Sequence, residues 1–155
     1  MIFSLAAAHS KHHGNFPTAD LFLKLSTSRK ELALFQHHDG ITGTAKDHVV
    51  TDYGNRMHRS IKDSIEVMEK AANFLLTSKK DNFKETLSGV KIFKFGEIRE
   101  NFDSIPTKSM FIVSGSAGNV VFYNSLAQDR KQTVFVLISE PLVQVYMMFL
   151  YTICL

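Results

Sequence analysis

Between residues 20 and 77 apolar positions recur at helical intervals, whereas beyond about residue 91 they alternate or gather into short β-branched runs. Leu21, Leu25, Leu32 and Phe35 fall broadly on one face, which predicts a helix over 19–39 with Pro17 at its start and Gly40 placed to end it. A second helix is predicted from the Thr42-Gly43-Thr44 turn to about Thr77. Thr44 followed three residues later by Asp47 resembles a capping box with Asp in place of Glu. The core face of this helix would run through Val49 or Val50, Tyr53, Met57, Ile61, Ile65, Met68, Ala72 and Leu75. Gly54 lies inside it at a cost of about 1 kcal/mol relative to alanine, which predicts close packing against a neighbour.

Downstream, strands are predicted at 91–95, 110–113, 119–124 and 133–138, with 124–132 joining the last two and Ser114-Gly115-Ser116 as a turn. Charged or Pro-containing connectors occupy 79–87 and 97–108, which predicts a boundary near 80–90. The fold class expected is α+β: an antiparallel helical-bundle segment followed by antiparallel β-strands. The organisation expected is a segment 1–19 without recognisable pattern, a helical segment 20–80, and a β region 90–155.

The chemistry concentrates at the break between the two helices, where Gln36-His37-His38-Asp39-Gly40 places two imidazoles and a carboxylate in a row. Imidazole nitrogen and carboxylate oxygen are both zinc donors. Adjacent helical residues point about 100° apart, so at most one of the two histidines can face a given metal. The spacing alone also allows surface or hydrogen-bonded histidines. His48 and His58, ten residues apart on the second helix, and His12 with His13 near the start are expected to be solvent or packing residues. Asp39 at a helix C-terminal turn opposes the macrodipole, which leaves room for a functional role.

The run Leu34-Phe35-Gln36-His37-His38-Asp39-Gly40-Ile41-Thr42-Gly43-Thr44-Ala45-Lys46 resembles the signature of the α-mannosidase II family, and the likeness continues through Val49-Val50-x-Asp52-Tyr53-Gly54-x-Arg56. Lys24-Leu25-x-x-x-Arg29-x-x-Leu32 precedes it. Val121-Phe122-Tyr123-Asn124-x-Leu126-x-Gln128-Asp129-Arg130 is similar to a downstream motif of the family's β region, although Ser125 and Ala127 stand where that motif has Pro and Glu. The likeness extends over roughly residues 20–145.

The resemblance implies a family 38 glycoside hydrolase: zinc-dependent, retaining, and acting on α-linked mannose of N-glycans in the Golgi lumen, with the lysosome as the other branch. By resemblance His38 is a Zn2+ ligand and Asp39 lies in the sugar-binding subsite, while His37 has no assigned role. The other zinc ligands and the nucleophile belong to an N-terminal α/β domain that has no counterpart in this chain, so no catalytic residue is expected here. The chain is then expected to be part of a larger enzyme and to be inactive alone. The alternative is a noncatalytic helical and β interaction module. An unrelated metal-binding helical protein would need further ligands within the chain.

Composition narrows the partners. The chain is 45% hydrophobic and 21% charged, which is compatible with a packed core rather than disorder. Its net charge of +3 comes from dispersed residues without a basic block, so no nucleic-acid partner is expected. The single cysteine, Cys154, excludes an intrachain disulfide. Met1 to Ala8 lacks the basic leader of a signal peptide, and the apolar run 142–155 is shorter than the roughly 20 residues that span a bilayer, so no membrane anchor is expected within this chain.

Overall fold

A computed structural model describes residues 1–12, 15–77, 83, 97–108, 111–113, 124, 128–129, 131, 136–138, 142 and 144. The chain divides into two compact units, Met1–Ser109 and Met110–Leu155. In the first unit four helices follow one another: α1 (Ile2–Ser10), α2 (Thr18–Phe35), α3 (His38–Ile41) and α4 (Asp47–Leu76).

Helices α2 and α4 form an antiparallel hairpin whose contacts step down one helix as they step up the other. Lys24 bonds Glu66 and lies 3.5 Å from Asp63, Ser28 Oγ donates to the Ser60 carbonyl at 3.4 Å, and Arg56 Nη1 lies 3.1 Å from Glu31. The ring of Phe35 meets Tyr53 edge-on with centroids 6.0 Å apart. Ser28 and Ser60 are both buried, and two such small side chains facing each other allow the helices close approach.

The apolar core sits at the end of the hairpin where α2 begins and α4 ends. Leu21, Val67, Ala71 and Phe74 are buried there with Ala6 of α1, Phe16 and Phe83. The Phe74 ring is 5.0 Å from that of Phe16 and 5.1 Å from that of Phe83. Each such large apolar side chain contributes about 1.5–3 kcal/mol when fully buried.

The extent of α4 agrees with its periodicity, but its buried line is Ser60, Val67, Ala71 and Phe74. Ile61 and Met68, expected in the core, are exposed, as is Val50. The buried line follows α4's two partners, α1 and α2, and one of its members is a serine that hydrophobic periodicity does not register. Lys46, with no side-chain cap bond, occupies the N-cap position in place of Thr44. Gly54 does meet a close neighbour: a Cβ there would lie 2.6 Å from Phe102 Cγ. Phe102 is presented by a turn in which the Asp103 amide donates to Asn101 Oδ1 at 2.9 Å and Ser104 Oγ donates to the Asn101 carbonyl at 3.0 Å.

The expected α+β class is corrected by the structure, whose described part is helical. Among the described residues extended pairing is limited to a two-residue antiparallel ladder between β1 (Glu97–Ile98) and β2 (Thr107–Lys108), and a three-residue ladder between β3 (Phe111–Val113) and β4 (Val136–Ile138). The second ladder is parallel, not antiparallel. Residues 114–135 separate its strands, ample for the crossover a parallel pair requires, and β-branched composition favours extended backbone without fixing partner or direction. The antiparallel helical part agrees with expectation. The expected strand at 91–95, the boundary segment 80–90 apart from Phe83, most of the strand at 119–124, the Ser114-Gly115-Ser116 turn and most of the apolar run 142–155 lie outside the described residues. No helix among the described residues is long and apolar enough to cross a membrane.

Candidate functional site

The break between α2 and α4 is built by His37. Helix α2 ends at Phe35 rather than running to Asp39. The Leu34 carbonyl, which a continuing helix would offer to the His38 amide, instead accepts from His37 Nδ1 at 2.5 Å and from the His37 amide at 3.4 Å. His37 then adopts an extended backbone at ψ 165° and becomes the N-cap of α3, its carbonyl accepting from the Gly40 and Ile41 amides at 3.0 and 3.1 Å.

Gly40 does not end a helix, as its position in the sequence had predicted; it is buried inside α3, where a Cβ would overlap the Phe35 carbonyl and stand 3.1 Å from His37 Nδ1. The turn-forming glycine is Gly43, at φ 70°.

This local fold sets His38 and Asp39 side by side at an exposed edge, with His38 Nε2 3.2 Å from Asp39 Oδ2. Thr44 Oγ1 donates to Asp39 Oδ1 at 3.3 Å, and Thr42 Oγ1 donates to the His38 carbonyl. His37 is engaged differently. Because the Leu34 carbonyl can only accept, Nδ1 carries the proton, and in the neutral ring Nε2 accepts from the Tyr53 hydroxyl 3.4 Å away. Both nitrogens of His37 are thereby occupied, and only His38 of the two presents its ring outward, with 87% of the side chain exposed.

An imidazole and a carboxylate are donor types that zinc accepts, so the pair fits part of a zinc site, which normally takes four ligands. Among the described residues no group of three or more His, Cys, Asp or Glu could hold a metal ion. His48 is exposed on α4, and neither ring nitrogen of half-buried His58 has a hydrogen-bond partner among the described residues. A surface depression lined by Asp52, Asn55, His58, Arg59 and Lys62 contains none of the residues at the break.

Two participants carried other expectations from the sequence. Tyr53 is expected only as a core residue and Thr44 only as a helix cap, yet one bonds His37 and the other bonds Asp39. Their place within the continuous motif from Leu34 to Arg56 was the signal that could have found them.

The fold thus places one outward imidazole and one carboxylate at the turn of a helical hairpin. Residues 10–75 match the family described as the alpha mannosidase middle domain, a span that takes in residues 10–19 as well as the motif-bearing segment. The chain is 38% identical to Alpha-mannosidase 2 of Arabidopsis thaliana over 94% of its length, covering 12% of that protein. It is 38% identical to Alpha-mannosidase 2 of Homo sapiens over 93% of its length, again covering 12%, and 35% identical to Alpha-mannosidase 2x of Mus musculus over 94%, covering 13%. No solved structure matches. The chain belongs to the α-mannosidase family, and it spans about an eighth of the length of these relatives.

Proposed function

We propose that this chain works as the helical part of a zinc-dependent α-mannosidase acting on mannose-containing N-glycans, with His38 as a zinc ligand and Asp39 as a sugar-binding carboxylate. The observation that carries the proposal is the outward His38–Asp39 pair in a segment matched by the family's middle domain. The name the relatives carry, Alpha-mannosidase 2, supports the activity. A Golgi lumenal location follows from the same reading.

His38 would hold the metal through an imidazole nitrogen, and Asp39 would accept hydrogen bonds from sugar hydroxyls while Thr44 steadies the same carboxylate. When bound, zinc supplies positive charge that orients hydroxyls and stabilises charge developing on the sugar. The attacking carboxylate and the acid of a retaining hydrolysis are assigned to residues outside this chain.

The test is a chimera in which residues 10–75 replace the matching segment of the Arabidopsis thaliana relative. The chimera is expected to retain zinc and to hydrolyse an aryl mannoside, with His38→Ala losing both and Asp39→Asn keeping zinc but losing kcat/KM. A His38→Ala chimera with normal zinc content and turnover would refute the ligand assignment. The 155-residue chain alone is expected to bind zinc weakly and to show no turnover.

A further inference from the structure

The site and the core lie at opposite ends of the α2–α4 hairpin. Tyr53 is 14 positions before Val67 on α4, about 21 Å along the helix axis at the standard rise. Near the break Leu32, Leu34, Ile41 and Val50 are all exposed, so apolar burial does little to fix α3. What ties α3 to α4 is directional: the Tyr53 hydroxyl bonds His37 Nε2, and the Tyr53 ring meets Phe35 and His37 edge-on at 6.0 and 5.7 Å. His37 is simultaneously bonded through Nδ1 to the last turn of α2 and through its carbonyl to the start of α3.

We propose that His37 and Tyr53 form a positioning clasp, in which one imidazole joins the end of α2, the start of α3 and the first third of α4, and thereby fixes the direction in which His38 and Asp39 project. This rests on the roles proposed above for His38 and Asp39, but the clasp is defined by contacts that exist without metal or sugar. Neither residue of the clasp is a catalytic residue. Each acts through the backbone of α3. The glycine at position 40 belongs to the same device, since any side chain there would push against Phe35 and the His37 ring. The clasp also accounts for two adjacent histidines with opposite fates: the first must face inward and be saturated so that the second faces outward and is available.

The test uses the full 155-residue chain with isotope-labelled histidine, comparing wild type, Tyr53→Phe and His37→Asn. Nitrogen shifts of wild-type His37 should report the Nδ1–H form held by the Leu34 carbonyl, and Tyr53→Phe, which keeps the ring and removes the hydroxyl, should shift the Nε2 resonance while the proton stays on Nδ1. The His38, Asp39 and Thr44 resonances should move, while those of Leu21, Val67 and Phe74 in the distant core stay in place. Zinc affinity should fall about tenfold, the low end of what supporting contacts to a ligand carry. His37→Asn keeps a donor for the Leu34 carbonyl but cannot reach Tyr53, so it should reproduce these changes, and the double variant should add little to either.

Unmoved His38 and Asp39 resonances in both single variants would overturn the clasp, as would shifts spread equally through the core. A wild-type chain that shows the clasp signature without any zinc binding would count against the proposed function alone. Zinc binding that is indifferent to both substitutions would count against the clasp alone.

Discussion

Val67 and Met68 are neighbours on α4 whose periodicity and packing disagree, so truncating each to alanine tests which face of the helix is the core. Val67 is 1% exposed, and Val67→Ala removes two buried methyl groups. At about 0.8 kcal/mol per buried methylene that amounts to about 1.6 kcal/mol, and the cavity left in a close-packed cluster raises it to about 2–3 kcal/mol. Met68 is 39% exposed, and the alanine that replaces it is the better helix former by a few tenths of a kcal/mol, so Met68→Ala should cost under about 1 kcal/mol. Were Met68 in the core, as the spacing of apolar residues suggests, its truncation would cost about 2–5 kcal/mol. Urea unfolding of the full chain followed by helical circular dichroism measures both, with equal slopes required for the comparison. Met68→Ala costing more than Val67→Ala would refute the packing described here.

Glu66 is held below the usual carboxylate range chiefly by its hydrogen bond from Lys24, while Lys24 is raised chiefly by the same bond. The depressed acid stabilises the fold above its unfolded value near about pH 4.3 and loses that contribution as pH falls through its lower folded value; the raised base contributes below about pH 10.4 and loses it above. Both side chains are more than a third exposed, so Glu66→Gln should cost under about 1 kcal/mol, constant from about pH 6 to 9 and vanishing in acid. A stability gap that persists in strong acid would remove the ion pair as its cause. His58→Leu should raise the melting temperature by the equivalent of about 1 kcal/mol, because leucine removes two buried ring nitrogens that have no hydrogen-bond partner among the described residues. A lower melting temperature would show that those nitrogens are satisfied.

The start of α2 and the extent of α4 were legible because they depend on local information: Pro17 before α2, and within α4 a run of helical residues to Leu76 without a breaker apart from Gly54. The buried face of α4 was not, because it depends on where α1 and α2 lie. A serine pair at the helix crossing carries no hydrophobic signal, and the apolar stripe through Val50, Ile61 and Met68 gave a signal that packing in this unit does not use. The β region failed for the same reason in stronger form. Val, Ile and Phe favour extended backbone, but partner and direction come from contacts distant in sequence, so the ladder between Phe111–Val113 and Val136–Ile138 proved parallel.

At the break, residue types announced the chemistry but not the division of labour. His37 and His38 are the same residue in consecutive positions, and composition cannot say which is free. The difference is made by the Leu34 carbonyl and the Tyr53 hydroxyl, one from the preceding helical turn and one 16 residues ahead, which together use both nitrogens of His37 and none of His38. Saturating the first imidazole of the doublet leaves the second, His38, at the exposed edge with Asp39 beside it, Nε2 to Oδ2 at 3.2 Å. The helix break, the buried glycine and the tyrosine on α4 are then parts of one solution: α2 must stop at Phe35 for His37 to turn back onto it, Gly40 must lack a side chain for α3 to fold against that turn, and Tyr53 must lie one helical hairpin away to close the bond.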